Sequence, residues 1–345
     1  MAYISNAAEV VHALQANLVA QIKWLKSCQI LSHGSSADGA ITRYPDQGWV
    51  TPYFSNFAAM AILEEPTSYP LVERYLNWYL RNLEKNGTIL DYHYDHNNQS
   101  KTARPDSEDA YAGTFLSLVT LYQIRSGQTN WVRENLPSLK KVAQSIVNLM
   151  DRDGLTYALA SYKVKYLMDN CEAYRGLEDF AVLLDYLGDE EVPYYKARAK
   201  FIAGGIERVL WNPRILLYHA SKTGWFRSGV NMKKFYPDAS CQVFPVIYGL
   251  LKPESERGAR LYKVFNDYQP DWIKIKPPHY PWMLLGYYAC LHGDYRPAYE
   301  KVRYAREVYI EPRSGNWFCA EAAFFVLTCA RLLEGRAHWL HAGID

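Results

Sequence analysis

Residues 104–119 read Arg104-Pro-Asp-Ser-Glu-Asp-Ala-Tyr-Ala-Gly-Thr-Phe-Leu-Ser-Leu-Val. Polar groups crowd the first half, and the second half is almost wholly apolar. Asp106 or Ser107 can accept hydrogen bonds from the unpaired amides of a helical first turn, and Asp109 follows three residues later on the same face. A surface helix spreads its polar residues along one side. A helix that collects them at one end is a buried helix whose N-terminus looks into a polar cavity.

The same design recurs along the chain. Amphipathic stretches at 6–31, 69–85, 129–151, 190–210, 254–268 and 294–311 carry apolar residues at helical spacing, as in Val10, Val11, Leu14, Leu18, Ile22 and Leu25. Each is followed by a loop and then a mostly apolar helix with a polar or aromatic start: 51–63, 107–125, 168–187, 237–251, 279–292 and 317–334. Short connections at Gly127, Gly188 and Gly293 alternate with long polar-aromatic ones. Asp38-Gly, Asn86-Gly and Asp153-Gly each precede a short β-prone run, the signature of a tight turn into a small strand. The repeat is too uneven for a regular solenoid. Six rounds of two helices predict an all-α closed ring, an (α/α)6 toroid with the apolar helices inside and the long loops on one rim. No shift in composition divides residues 1–345, so one domain is expected.

The bulk numbers narrow the partners. A net charge of +2 with 21% charged residues gives no basic excess for nucleic acid. Aromatic residues reach 15%, with 29 Tyr and 10 Trp, side chains that stack on sugar rings as readily as they fill cores. Six scattered cysteines, with no CxxC and no Cys/His cluster, read as reduced and structural. Met1-Ala-Tyr-Ile-Ser-Asn6 shows no basic-then-apolar leader, and no apolar run reaches the roughly 18–20 residues of a membrane span. A cytoplasmic protein without membrane contact is expected. The sequence does not indicate an oligomeric state.

Six hairpins with polar-started inner helices resemble the six-hairpin glycosidase superfamily, over essentially the whole chain. Asp106-Ser-Glu-Asp109-Ala-Tyr-Ala is similar to the Asp-rich helix start of family 8 glycoside hydrolases, where an aspartate contacts the sugar at the point of cleavage. Asp169-Asn-x-Glu172-x-Tyr174-x-Gly176-Leu resembles an inner-helix start of other six-hairpin proteins. Family 8 enzymes carry their general-acid Glu at an earlier inner helix; here that start is Tyr53-Phe-Ser-Asn56, without a carboxylate. The resemblance implies a glycoside hydrolase acting on an oligo- or polysaccharide in a rim groove.

Glycoside hydrolysis requires one carboxylic acid to protonate the leaving oxygen and one carboxylate to activate water or attack the sugar, and no cofactor. Asp109 and Asp169 are the expected working pair, with Asp106 and Glu172 in support. A helix N-terminus favours the ionised form, so a working acid there needs burial or a like-charged neighbour. Asp46, Trp49, Tyr53, Tyr92, His93, Tyr111, Arg175, Trp225, Tyr236, Asp238, His279, Trp282 and Trp317 are the expected substrate-binding set. Asp38, Asp46, Asp91 and Asp95 on the loops and Glu321 on the last inner helix are further carboxyl groups. His93 and His96 lack a third ligand at metal spacing, so no metal is expected. Two other readings stay open. One is a polysaccharide lyase or sugar 2-epimerase using His279, Tyr280, Tyr236, Arg227 or Asn316. The other is a carbohydrate-binding protein that has lost its acid.

Overall fold

The computed structural model describes residues 7–340, apart from the side chain of His338. The Met1–Asn6 stretch read for a leader lies outside the described residues. Six helical hairpins follow in chain order. They are α1 (Ala7–Ser27) with α2 (Pro52–Ile62), α3 (Tyr69–Arg81) with α4 (Glu108–Ser126), and α5 (Thr129–Leu149) with α6 (Leu167–Leu187). Then come α7 (Val192–Gly205) with α8 (Phe244–Ile247), α9 (Glu256–Tyr268) with α10 (Leu284–Leu291), and α11 (Tyr295–Ala305) with α12 (Cys319–Glu334).

The even-numbered helices form the inner ring. Each packs on the next, α2 on α4, α4 on α6, α6 on α8, α8 on α10 and α10 on α12, and α12 packs back on α2. The expected all-α toroid is therefore present, and it closes through its first and last hairpins. Outer helices such as α3, α5 and α9 bury one stripe and leave the other side wet. In α4 and α12 nearly every side of the helix is buried.

Small residues let the inner helices approach. Gly113 of α4 and Gly176 of α6 meet backbone to backbone, and a methyl group on either would overlap the other helix. Helices α4 and α6 stop at Gly127 and Gly188, both in the left-handed conformation that ends a helix at little cost to glycine. These tight ends lie at one side of the ring. The N-termini of the inner helices gather at the other, under the long loops.

Two inner elements differ from expectation. The fourth was read as a helix over 237–251. It is a chain of short turns, Phe235–Ala239 and Ser240–Val243, before α8, because Pro237 and Pro245 remove amide donors and Tyr236 is extended. The fifth begins at Leu284 rather than His279, since Pro278 and Pro281 precede it and Trp282 has φ 57°. The rim strands are short. β1 (Trp49–Val50), β2 (Asp91–Tyr94) and β3 (Ser100–Ala103) form an antiparallel sheet that pairs Trp49 with His93 and Asp91 with Ala103. Among the described residues no helix is long and apolar enough to cross a membrane.

Candidate active site

A cavity of about 620 Å³ opens at the N-terminal ends of the inner helices. Five carboxyl groups line it: Asp91 on β2, Asp106 before α4, Asp169 and Glu172 on α6, and Glu321 on α12. The remaining walls are largely aromatic, with Tyr53, Phe54, Tyr111, Tyr236, Tyr280, Trp282 and Phe318.

Asp169 belongs to a buried hydrogen-bonded network with Ser107 and Asp109. Ser107 caps α4, and its Oγ lies 2.7 Å from Asp109 Oδ1 and 3.0 Å from Asp169 Oδ2. A hydroxyl has one hydrogen, so it cannot donate to two carboxylates at once. Asp109 is already served as an anion, accepting from the Thr156 hydroxyl at 2.5 Å and the Ala110 amide at 2.9 Å. The single Ser107 hydroxyl hydrogen is therefore shared between the Asp109 and Asp169 carboxyl groups, which stand on either side of it. Burial holds the Asp169 carboxyl well above its usual range, and the charges of Asp109 and Glu172 add to that. Together they outweigh the first-turn position on α6, which favours the anion. Burial also lifts Asp109, to about 6, against its three hydrogen bonds.

Glu172 lies one turn further along α6. Tyr53 and Tyr248 both donate to its Oε1, at 2.6 and 2.8 Å. Burial pushes its carboxyl up to about 8 despite those two hydroxyls. Asp91 accepts from the Tyr111 hydroxyl at 3.0 Å, and burial raises it to about 6 against the pull of Tyr111 and Arg43.

Glu321 comes from the other side of the ring. Helix α6 is the third inner helix and α12 the sixth, so their starts oppose each other across the cavity. Its two oxygens accept the amides of Trp282 (3.2 Å) and Met283 (2.7 Å). Burial raises it to about 7, and the amides and the Lys301 ammonium pull the other way. Lys301 is itself buried, donating to the Trp272 carbonyl at 2.7 Å, and burial lowers it to about 7.

Of the residues expected from sequence, Asp106, Asp169, Glu172, Tyr53, Tyr111, Tyr236 and Trp282 line this cavity. Asp109 does not, which corrects the expectation that it faces substrate: it is fully buried behind Ser107. Nine others also lie outside the lining. Trp317 is buried, with its indole N–H on Gln21 of α1 at 3.0 Å. Tyr92 packs between Trp78 and Tyr94. Arg175 pairs with Asp179 one turn along α6. Asp238 accepts the Asn231 amide within its own loop. Trp225 stands almost wholly in solvent, just after Gly224, and Asp46 occupies a left-handed turn. His279 contributes its backbone carbonyl to the Tyr309 hydroxyl. Trp49 and His93 stack on each other at 4.4 Å on the rim sheet.

Arg43, Phe54 and Phe318 line the cavity without having been expected there, and Tyr280, named for the elimination or epimerase reading, lines it too. Tyr280 and Phe318 belong to loops that the sequence leaves free to point either way. Arg43 is placed by a contact with the far end of the chain, where its carbonyl accepts the Cys319 amide at 2.9 Å.

No family model matches the chain. No curated protein matches it either. Solved structures do. A wild-type glycosidase is 12% identical, over 93% of this chain and 97% of that one, with a TM-score of 0.68. A variant glycosidase in complex with glucose gives the same values. A reducing-end-xylose releasing exo-oligoxylanase in complex with xylose is 13% identical, over 94% of this chain and 93% of that one, with a TM-score of 0.62. A GH78 family rhamnosidase of Bacillus sp. GL1 is 16% identical, over 90% of this chain but 34% of its own, with a TM-score of 0.59. The chain thus has the fold of the six-hairpin glycosidases.

Proposed function

We propose that the protein is a glycoside hydrolase, with Asp169 as general acid and Glu321 as general base. The observation that carries this reading is that Asp169 and Glu321, two carboxyl groups pushed upward by burial, stand on opposite walls of one aromatic cavity. An acid must hold its proton until the glycosidic oxygen needs it. Burial and the neighbouring carboxyl groups favour that state, and Asp169 still lines the cavity. A base must be ionised when water arrives, and its efficiency peaks when its pKa lies near the working pH. Glu321 keeps lone pairs free for a water because each oxygen holds only one amide.

Trp282, Tyr236 and Tyr280 offer flat apolar faces for a sugar ring, and Asp91, Asp106 and Glu172 offer acceptors for its hydroxyls. Opposed walls leave room for a water between base and sugar. This reading predicts inversion, the mechanism that sets its two carboxyl groups about 6.5–9.5 Å apart rather than about 5–5.5 Å. In this reading Asp109 supports Asp169 through Ser107 and does not touch substrate.

The test is turnover on a panel of aryl glycosides and oligosaccharides, following sugar release and the anomer first formed. Release that is lost in Asp169→Asn and Glu321→Gln supports the proposal. Release unchanged in both variants overturns the assignment. Unsaturated products, seen by ultraviolet absorbance, would replace hydrolysis with elimination.

A further inference from the structure

Arg43 is the one cationic side chain lining the cavity among the described residues, and its guanidinium makes no ion pair there although Asp91 feels its charge. Its backbone is pinned at both ends, the amide donating to the Trp49 carbonyl at 2.8 Å and the carbonyl accepting from Cys319 at 2.9 Å. The side chain is fixed as well. Nε donates to Thr51 Oγ1 at 3.1 Å, and the guanidinium carbon sits 5.0 Å from the centre of the Phe54 ring. Phe54 is braced edge-on by Phe318 at 4.8 Å, and Phe318 by Tyr280 at 5.1 Å. Beyond Nε, the guanidinium has no side-chain or backbone acceptor and no ion pair among the described residues, although five carboxyl groups share the cavity.

A guanidinium held at Nε keeps its two terminal nitrogens without a protein acceptor among the described residues, on a side chain that lines the cavity. The Phe54 ring face attracts and orients the cation, and a carboxylate is the partner whose bidentate geometry matches its free nitrogens. The neighbouring Asp91 and Asp106 disfavour a more highly charged group such as a phosphate. We infer that Arg43 pairs with a carboxylate carried by the sugar, so that the cavity accepts uronic-acid-bearing glycosides over neutral ones. Turnover of such a glycoside rests on the glycoside hydrolase reading, whereas its binding does not.

The test is titration calorimetry of glucuronate, galacturonate, glucose and galactose into the wild type, Arg43→Gln and Arg43→Lys. In the wild type the uronates should bind about tenfold or more tighter than their neutral counterparts, in line with a charge-assisted pair. Arg43→Gln should erase that preference, and Arg43→Lys should keep part of it as a point charge without the fork. A wild type with no uronate preference, or with no measurable uronate binding, overturns the inference, as does a preference that survives in Arg43→Gln. Aryl uronides and aryl glucosides then separate the two ideas. Hydrolysis without uronate preference leaves the hydrolase standing and removes this inference. Uronate preference without hydrolysis of any glycoside does the reverse.

Discussion

Ser107 Oγ lies 2.7 Å from Asp109 Oδ1 and 3.0 Å from Asp169 Oδ2, so one hydroxyl bridges both carboxyl groups. One serine therefore caps α4 and hydrogen-bonds the residue proposed as the acid. Ser107→Ala should lower kcat more than it changes KM, because it releases Asp169 from its orientation. It should also destabilise the fold by about 0.5–2 kcal/mol through the lost cap. Kinetics together with thermal melting check this. Full activity in a destabilised variant would reduce Ser107 to a cap.

The pH dependence of kcat/KM should be bell-shaped. Glu321 must lose its proton to act as base, so activity rises with pH through a value near 7. Asp169 must keep its proton, so activity falls at a higher pH, where that carboxyl ionises. The ammonium of Lys301 favours the Glu321 anion. Lys301→Met should therefore raise the Glu321 pKa and move the ascending limb to higher pH. A limb that stays in place would show that Glu321 is not the group being titrated.

Gly176 touches the backbone of Gly113, and this crossing sets the distance between the starts of α4 and α6. Gly176→Ala should force the helices apart and cost about 1–3 kcal/mol, as overpacking in a close-packed interior does. Melting temperature reads the cost. An unchanged melt would mean that the crossing relaxes freely.

Glu172 links the site to stability. Its folded pKa is about 8, against an ordinary 4.5. A raised carboxyl contributes stability that is full below the ordinary value and is lost as pH rises through the folded one. Glu172→Gln stays neutral and its amide oxygen can still accept from Tyr53 and Tyr248. The variant should gain on the wild type between pH 5 and pH 9, measured as the difference in melting temperature. A difference that does not change with pH would mean that Glu172 is ionised throughout.

The ring was legible in the sequence because the inner helices lack a wet face and the outer ones have one. Asp169 and Glu172 were legible as a pair because both lie inside α6, where i and i+3 share a side. Asp106 and Asp109 show the same spacing and yet part company. Ser107 is extended (φ −152°, ψ 122°), so Asp106 precedes the helix and the helical phase does not reach it. Asp106 thus faces the cavity and Asp109 turns behind the cap. The aromatic residues divided for a similar reason. Trp282 and Tyr236 point inward, whereas Trp317 fills the interface with α1 and Trp225 stands in solvent. Composition is identical in each case, and only non-local packing separates them. Arg43 depends on that packing most, since its position is set by α12.

Proton donation from Asp169 to the leaving oxygen is the step on which the proposed chemistry depends. The direct measurement compares Asp169→Asn with the wild type on two glycosides of the same sugar, one with a dinitrophenyl leaving group and one with a second sugar. A dinitrophenolate departs without protonation, and a sugar alkoxide does not. With Asp169 as the acid, kcat/KM should fall by about 10²–10⁴-fold on the disaccharide and change little on the dinitrophenyl glycoside. Equal losses on both substrates, or none on the disaccharide, would contradict that role.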